Sequence, residues 1–360
     1  MDLKIAIFHD YFLVKGGGEK VTLLLAKHFK ADVYTLIFDP QRSFGELTND
    51  LNIHVSKNIF KRFPYLKQLA TINFFKNLYL WDEYDLYIFT GFKSVYGAIY
   101  NHPNIYYSYN GVSKSLYDKT QNIRSEPLLK RLPLVLWRKL EVPRNRFVIK
   151  TYVDSVVTIC NFTVQKIKSF YNILPEIINV PVDTKKFKNK PSENYFLVVS
   201  RLESFKRVDL IIEAFKQLKD KNLIIIGDGP EKSKLLSMAK GYANIKILDV
   251  STQEELRDYY SKCICCIAIP NDDYTMVPLE AAAAGKPSIV SDDFGVRETV
   301  VENKTGILIK PDVKNLVNAI NSMTPEVAES MKKDCLNFAK KFDIDIFYEK
   351  WENKIKSMLD

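Results

Sequence analysis

The sequence predicts an α/β protein built from two doubly wound domains in series. Short apolar runs alternate with stretches of helical periodicity along most of the 360 residues. The apolar runs are nearly continuous, which is typical of parallel strands covered by helices on both faces. The alternation stops in the polar, lysine-rich segment 183–195 (DTKKFKNKPSENY) and then restarts. A chain of this length suits two domains better than a single core.

In the first half, each predicted strand is followed by a polar or glycine turn. The strands are LKIAIFH, ADVYTLIF, YDLYIFTG, NIYYSY and DSVVTIC, and the first helix is GGGEKVTLLLAKHF. We expect these elements to form a first, acceptor-binding domain over residues 1–188.

The second half repeats the pattern. Its strands are YFLVVSR, NLIIIGDGP, IKILDV, CICCIAIP, PSIVSD and GILIK, and its helices are VDLIIEAFKQL, EKSKLLSMAKGY and STQEELRDYYSK, the last capped by Ser251 or Thr252. We expect a nucleotide-binding domain over 189–338 and a helical segment over 339–360 that packs back on the first domain. Ligands of such sheets bind outside the carboxyl ends of the strands, so the two domains should face a common cleft.

Composition narrows the class of protein. No run reaches the roughly 18 apolar residues of a membrane span, and the N-terminal run is a strand rather than a signal peptide. Cys263, Cys265 and Cys266 lie in one apolar run, which favours small core residues on a buried strand. A zinc site would need a second Cys/His pair, and unpaired thiols indicate a reducing cytoplasm. The protein should be cytoplasmic, either soluble or peripheral to a membrane.

Two basic segments also contain many apolar and aromatic residues. They are 57–76 and 124–150, in a chain of net charge +9. One interpretation is contact with an anionic membrane at its inner face; the other is a solvated helix face above a buried stripe. Under the first, truncating Lys61, Arg62, Phe74 and Phe75 should weaken liposome binding. Nucleic acid is not expected, because no binding motif is present.

Two carboxylates flank a predicted helix start in NDDYTMVPLEAAAAGKP. Pro278 suits the first helical turn, so the preceding loop directs its backbone N–H groups at one point, as in anion sites. Glu280 and Asp272 could each accept hydrogen bonds from a polyol. The spacing therefore suits a diphosphate with a sugar at each end.

Two cations follow the first strand of the second half, in SRLESFKR. Arg201 and Lys206 could balance a diphosphate without a metal ion. Surface ion pairs are the alternative for these residues. A metal site is not expected, because the tight Asp-x-Asp at 343–345 lies in the helical tail and Asp292–Asp293 has no further ligand nearby.

The sequence resembles the retaining glycosyltransferases of family four, within the group 1 glycosyltransferases, which have the GT-B fold. The resemblance covers 190–320 through VVSRLESFKRVDLIIEAFKQL, LIIIGDGPE, DDYTMVPLEAAAAGKPSIVSDDFGVRETV and KTGILIKP, and continues more weakly through HDYFLVKGGGEKV. It implies two Rossmann-like domains facing a cleft, with the C-terminal helix crossing back to the first domain.

The resemblance implies a role for each matching residue. Arg201 and Lys206 would hold the donor diphosphate, Asp272 would contact the donor sugar, and Glu280 would bind the ribose. The first three are the predicted catalytic residues. The other predicted donor-binding residues are Gly16, Gly17, Gly18, Gly227, Val250, Tyr274, Thr275, Met276 and Val277.

The sequence departs from the family pattern at three places. Asp272 replaces a glutamate, and Thr275 stands where a glycine is usual. Many relatives have a histidine near the position of Tyr109 and Asn110, which are therefore candidate acceptor residues. His9 and the adjacent Asp10, at the end of the first strand, are the other acceptor candidates, although a loop-capping role is equally open.

These observations predict a nucleotide-sugar-dependent, retaining hexosyltransferase of surface polysaccharide or glycoconjugate synthesis. EYDLYIFTG and the DDYTMVPLEAAAAGKP loop most resemble mannosyltransferases, so GDP-mannose is the favoured donor and a UDP-sugar the second. The acceptor would be a glycan or a lipid-linked glycan, with no cofactor or metal required. Domain closure would exclude water and so limit hydrolysis.

Two other hypotheses belong to different classes. The missing histidine favours a weak or inactive relative that acts as a binding partner of an active transferase. A nicotinamide dehydrogenase would need a third glycine after the first strand, which GGGEK lacks.

Overall fold

A computed structural model describes residues 3–57, 67–112, 128–250 and 252–360; of 128–138 it describes the backbone alone. The chain divides into two compact units. The first comprises residues Met1–Asn179 and Tyr348–Asp360, and the second Val180–Phe347. Each unit contains one parallel sheet, so the predicted α/β class is confirmed.

The first sheet has the strand order of a doubly wound fold. Its strands are β1 (Ile5–Phe12), β2 (Asp32–Phe38), β3 (Ile53–Val55), β4 (Leu86–Phe89), β5 (Asn104–Ser108), β6 (Ser155–Thr158) and β7 (Glu176–Ile177). Within the described residues their order is β3-β2-β1-β4-β5-β6-β7. The direction of strand addition therefore reverses between β1 and β4, and ligands of such sheets bind beside that point.

Helices lie between these strands. They are α1 (Gly17–Phe29), α2 (Gly45–Thr48), α3 (Lys67–Lys76), α4 (Leu128–Tyr152) and α5 (Asn161–Tyr171), with a short 3-10 helix at Ser94–Ile99. Helix α1 buries Val21, Leu23 and Leu25 and ends at Lys30 in the left-handed conformation. Its amphipathic pattern in the sequence thus matches its position against the sheet.

The core of the first unit is rich in aromatic side chains. Phe8 packs against Phe89 and Phe75, with ring centroids 5.1 and 5.7 Å apart. Trp351, on the C-terminal helix, is fully buried and its ring lies 5.0 Å from that of Tyr107 on β5. The last residues of the chain therefore complete the core that the first residues begin.

The second sheet repeats the same order. Its strands are β8 (Phe196–Val199), β9 (Leu223–Ile226), β10 (Ile245–Leu248), β11 (Cys265–Ala268), β12 (Ser288–Ser291) and β13 (Gly306–Ile309). Within the described residues their order is β10-β9-β8-β11-β12-β13, with the reversal between β8 and β11. The predicted doubly wound pattern is confirmed for both halves.

The helices of the second unit follow its strands in turn. They are α6 (Val208–Gln217), α7 (Lys232–Ala239), α8 (Gln253–Lys262), α9 (Val277–Ala283), α10 (Val313–Ser322) and α11 (Pro325–Lys340). The last helix, α12 (Ile344–Leu359), contributes Tyr348–Asp360 to the first unit. Thr252, one of the two alternatives predicted for this cap, caps α8 by accepting from Glu255 N at 3.1 Å. The helical tail divides in two at 341–343, where Asp343 accepts from the Thr184 hydroxyl.

The structure bears on the predictions for the cysteines and for the basic, aromatic segment 57–76. Cys263, Cys265 and Cys266 are fully buried around β11, which confirms their interpretation as core residues. Phe75 is fully buried in the first core and Phe74 packs against it, so the prediction of a membrane-facing Phe75 is wrong. Lys61 and Arg62 lie outside the described residues. In the ranges described, no helix is long and apolar enough to cross a bilayer.

Candidate functional site

Two loops meet at the reversal point of the second sheet. One follows β8 and contains Arg201 and the 3-10 helix Ser204–Lys206; the other follows β11 and contains Asp272. The Asn271 N–H donates to Phe205 O at 2.6 Å, which joins the two loops through their backbones. Strands β8 and β11 are neighbours, so residues far apart in sequence are brought to one edge.

Lys206 and Asp272 form an ion pair at this edge. Lys206 Nζ donates to Asp272 Oδ2 at 3.0 Å, and the two side chains are 15% and 19% exposed. Such shielding from water makes the pair stronger than an ordinary surface pair. Arg201 instead contacts Glu203 at 2.8 Å and is 42% exposed. The structure thus joins two of the three predicted catalytic residues, while Arg201 forms its own pair on the β8 loop.

Helix α9 begins as the sequence predicts. Pro278 lies in its first turn, and the Val277 N–H donates to the Thr275 hydroxyl oxygen at 3.4 Å. Tyr274 and Met276, in the same loop, are partly buried. The loop between Asp272 and Glu280 is therefore held against the helix start by local hydrogen bonding.

Glu280 has a partner that the sequence analysis missed. The hydroxyl of Tyr260, near the end of α8, donates to Glu280 Oε2 at 2.8 Å. Tyr260 is fully buried, and burial next to the Glu280 charge raises the pKa of its phenol well above the ordinary value. The phenol therefore keeps its proton and remains a donor. The only sequence signal was an aromatic pair, Tyr259–Tyr260, at the end of an amphipathic helix.

The glycine turn after β9 lies against the β8 loop. Gly227 has φ +154°, and a Cβ there would overlap the Ser200 carbonyl oxygen. Gly229, at φ +157°, faces Leu202 in the same way. Val250 and Val277 pack against the apolar cluster that includes Tyr260. Gly227 therefore allows the β9 turn to approach the segment that carries Arg201.

In the first unit, His9 and Asp10 lie toward the carboxyl end of β1, beside the reversal point with β4. His9 Nδ1 lies 2.8 Å from the Thr90 hydroxyl, and burial lowers the pKa of the imidazole to about 4. His9 is therefore neutral at neutral pH, and its ring nitrogens can serve as one donor and one acceptor.

The Asp10 carboxylate is surrounded by backbone donors. It accepts from Ser94 N at 2.7 Å and from Lys93 N at 3.1 Å, at the start of the 3-10 helix. Burial raises its pKa above the ordinary value, although these donors act in the opposite direction. A Cβ on Gly91 would overlap the carboxylate. Asp10 thus fixes the β4 loop, and the Lys93 ammonium extends from that loop to the buried carboxylate of Glu141 on α4.

The remaining predicted residues lie around the start of α1. Gly16 is its N-cap, and Gly17 and Gly18 form its first turn. The Tyr109 hydroxyl lies 2.9 Å from Thr22 Oγ1. Asn110 is exposed, and its backbone carbonyl oxygen accepts from Lys166 Nζ at 3.1 Å. The sequence analysis missed Thr22, Thr90 and Lys166, because hydroxyl and amine positions inside apolar helices and strand ends carry no distinctive pattern.

Metal ligands are not clustered in the described part of the chain. There, no group of three or more His, Cys, Asp or Glu side chains is arranged to hold a metal ion. In the helical tail, Asp345 pairs with Lys185 at 2.6 Å. The prediction of a metal-independent reaction stays a prediction.

The second unit matches a known family over most of its length. Residues 180–341 match the family described as glycosyl transferases, group 1. This segment is a group 1 glycosyltransferase domain. The resemblance to the group 1 glycosyltransferases is thus confirmed for this segment. The whole chain is also 25% identical, over 397 aligned residues, to the alpha-1,3/1,6-mannosyltransferase of Dictyostelium discoideum, an alignment that covers 92% of each protein.

Solved structures share the fold along nearly the whole chain. HepE of Anabaena, in complex with UDP-glucose, superposes with a TM-score of 0.75 at 17% identity, covering 98% of this chain and 99% of HepE. Sucrose-phosphate synthase of Thermosynechococcus elongatus gives a TM-score of 0.77 at 16% identity, covering 99% and 98%. The chain therefore has the GT-B fold, as the resemblance implied.

Proposed function

We propose that the protein transfers a hexose, with retention of configuration, from a nucleotide-diphosphate sugar to a glycan or lipid-linked acceptor. The observation that carries the proposal is the Lys206–Asp272 pair at the reversal point of the second sheet. Mannose is the favoured sugar, in line with the mannosyltransferase of Dictyostelium discoideum to which the chain is similar. A UDP-sugar is the second choice, since HepE is a relative in fold that binds UDP-glucose. Assembly of surface polysaccharide on the cytoplasmic side is the proposed setting.

The donor would be bound by charge and backbone groups of the second unit. Lys206 and Arg201 would face the diphosphate, and the N–H groups of 274–277 would supplement them. Both cations already have carboxylate partners, Asp272 and Glu203, so their charge is held in place before the donor arrives. These groups would stabilise the negative charge that develops on the leaving diphosphate, usually the largest catalytic contribution in such sites. We propose that no metal is needed.

Asp272 would link sugar recognition to phosphate recognition. Its Oδ2 lies 3.0 Å from Lys206 Nζ, while Oδ1 accepts from Asp273 N at 3.0 Å. A sugar hydroxyl that donates to the Asp272 carboxylate would thus share this carboxylate with Lys206, the cation that would bind phosphate. The shorter side chain of aspartate, compared with the glutamate usual in the family, would alter which sugar fits. Glu280, fixed by Tyr260, would accept from the ribose hydroxyls.

The first unit would receive the acceptor. His9 is neutral, and Asp10 lies beside it at the end of β1. A neutral imidazole can accept a hydrogen bond from an acceptor hydroxyl without adding charge. The proton of the attacking hydroxyl would pass to the leaving phosphate, a route that is compatible with retention.

Helix α4 offers a surface for a lipid-linked acceptor. Leu140 and Phe147 are 73% and 59% exposed and lie seven positions apart, which places them on one helix face. Lys139, Arg146 and Lys150 are also exposed on this part of the helix. Apolar tips beside cations suit an anionic membrane surface. We therefore propose α4, rather than Phe75, as the contact with the membrane.

A thermal-shift series followed by a transfer assay tests the proposed function. Nucleoside diphosphates and their sugars should raise the melting temperature, GDP-mannose most, whereas NAD should not. Transfer should persist in excess EDTA and fall sharply in Arg201→Ala. A protein that binds nucleotide sugars but transfers nothing to any glycan acceptor would instead be the inactive binding partner.

A further inference from the structure

A chain of two hydroxyl groups reaches the glycine segment 16–18. The Tyr109 hydroxyl, just past β5, lies 2.9 Å from Thr22 Oγ1 on α1. Thr22 has one proton to donate, and its shorter bond goes to the Gly18 carbonyl oxygen, at 2.9 Å against 3.2 Å to Thr90 Oγ1. With that proton committed, Tyr109 is the donor to Thr22. The bonds therefore run from Tyr109 through Thr22 to the backbone of Gly18.

The ring of Tyr109 also packs directly on the glycine segment. A Cβ added at Gly18 would lie 3.1 Å from Tyr109 Cδ2, so the ring contacts the bare Cα closely. The ring also packs edge-to-face with that of Tyr107, with centroids 4.7 Å apart. Burial raises the pKa of the Tyr109 phenol above its ordinary value, so the hydroxyl keeps the proton that it donates.

The segment that carries Tyr109 is itself fixed from helix α5. Lys166 is 5% exposed, and its ammonium donates to the carbonyl oxygens of Asn110 at 3.1 Å and Val112 at 3.4 Å. Gly111, at φ +67°, packs against the Thr163 carbonyl oxygen. A buried ammonium with two backbone acceptors is costly to move, since the charge would lose its bonds. Tyr109 is therefore held on a rigid segment.

We propose that Tyr109 is a positioning residue that fixes the glycine segment 16–18 through the Thr22 hydroxyl, with Lys166 fixing Tyr109. The consequence for the nucleotide-sugar donor rests on the proposed function and on the donor-binding role that the resemblance implies for Gly16, Gly17 and Gly18. A segment ordered before binding loses less conformational freedom when the donor arrives, so the donor binds more tightly. At the place where many relatives have histidine, the tyrosine would thus act on the loop rather than on the substrate.

Four variants of the full chain separate this role from general packing. Tyr109→Phe and Thr22→Val remove one hydroxyl each, whereas Thr22→Ser keeps it. Tyr107→Phe is the matched control, because it removes a buried phenol bond of the same length, 2.9 Å, to Ile178 O. Hydrogen exchange reports on the first turn of α1, in which Lys20 N donates to Gly16 O at 3.0 Å.

We expect exchange in this turn to be about fivefold faster in Tyr109→Phe and Thr22→Val, the effect of one lost hydrogen bond. It should stay at the wild-type rate in Thr22→Ser and Tyr107→Phe. In the transfer assay, the donor KM should rise about fivefold in the first two variants, with kcat within about twofold. Equal exchange in Tyr109→Phe and Tyr107→Phe, or an unchanged donor KM in an active enzyme, would overturn the proposal. If no nucleotide sugar is a donor, the exchange rates decide alone, so this inference and the proposed function can fail separately.

Discussion

Lys206 Nζ and Asp272 Oδ2 lie 3.0 Å apart although 66 positions separate the residues in sequence. The pair is largely shielded from water, and it connects the loops after β8 and β11. The Lys206 ammonium has three protons, so it can donate to Asp272 and to a phosphate oxygen at the same time. In the proposed function, a hydroxyl of the donor sugar would donate to the same carboxylate.

Replacing Lys206 with methionine should therefore remove phosphate binding while keeping the length of the side chain. We expect kcat/KM for the donor to fall about 100-fold or more, the usual effect of losing one group that stabilises developing charge. Lys216→Met is the matched control, because Lys216 pairs with Glu213 at 2.7 Å on α6, outside the predicted site. Similar kinetics of the two variants would contradict the assignment of Lys206.

Tyr260→Phe tests whether Glu280 binds the ribose. Losing the 2.8 Å hydrogen bond should leave Glu280 less well oriented, so affinity for a nucleoside diphosphate should fall about fivefold. Affinity for pyrophosphate should not change, and calorimetry measures both. Tyr195→Phe provides a comparison in the same apolar cluster, since its hydroxyl donates to Tyr259 O at 2.8 Å. An equal loss of pyrophosphate binding in Tyr260→Phe would refute the ribose role of Glu280.

Gly227→Ala should destabilise the second unit strongly. The Cβ would overlap the Ser200 carbonyl oxygen at a positive φ, and we expect a loss of about 3 kcal/mol or more in the free energy of unfolding. Gly241→Ala isolates the conformational part, because Gly241 has φ +88° and open space around it. That variant should lose about 1 kcal/mol. Urea unfolding measures the free energy of unfolding of both variants. Equal losses would show that the backbone relieves the overlap with the Ser200 carbonyl oxygen without losing stability.

The pKa of His9 predicts a loss of stability on acidification. Burial lowers it to about 4, from 6.5 in the unfolded chain, so between these values the unfolded state binds more protons. The free energy of unfolding should therefore decrease as the pH is lowered, by about 2 kcal/mol from pH 7.5 to pH 5 from this residue alone. His9→Gln should lack this component. Urea unfolding of both proteins across this range is the measurement, and parallel curves would mean that the pKa of His9 is the same in the folded and unfolded states.

The exposed face of α4 predicts salt-sensitive binding to anionic membranes. Leu140→Ser combined with Phe147→Ser should weaken co-sedimentation with vesicles rich in phosphatidylglycerol at least about tenfold. Leu174→Ser controls for lost surface apolarity, since Leu174 is 76% exposed on the loop between α5 and β7. Vesicles of phosphatidylcholine alone should bind poorly. If the double variant bound these vesicles as well as the wild type, the exposed face of α4 would not be the contact with the membrane.

Strand order, and with it the two reversal points, was not predicted, because it depends on which strands pair in the tertiary structure. Most of the strands were predictable, because buried parallel strands leave continuous apolar runs in the sequence. The positions of Asp272 and Lys206 at one sheet edge followed from the same pattern. Their direct contact did not, because a periodic signal fixes the end of a strand and not the direction of a side chain. The first-unit strand Glu176–Ile177 has only two residues, too few to show any period.

The partners of the predicted residues were the least accessible to sequence reasoning. Tyr260 and Thr22 lie on helices where a buried tyrosine or threonine looks like ordinary packing. Their roles depend on which strand or helix lies opposite, a property of the tertiary structure. The absence of a histidine near Tyr109 was visible, but the Tyr109–Thr22 bond needs β5 and α1 to be neighbours. Sequence reasoning thus located the edge of each sheet and missed the hydrogen-bond network behind it.

The burial of Trp351 against Tyr107 has a consequence for biosynthesis. A ribosome delivers Tyr107 before the second unit and Trp351 after it. The first unit must therefore wait, with part of its aromatic interior uncovered, until Trp351 has emerged, whereas the second unit can fold first. Nascent chains stalled before Trp351 should thus depend on chaperones to an extent that the released protein does not.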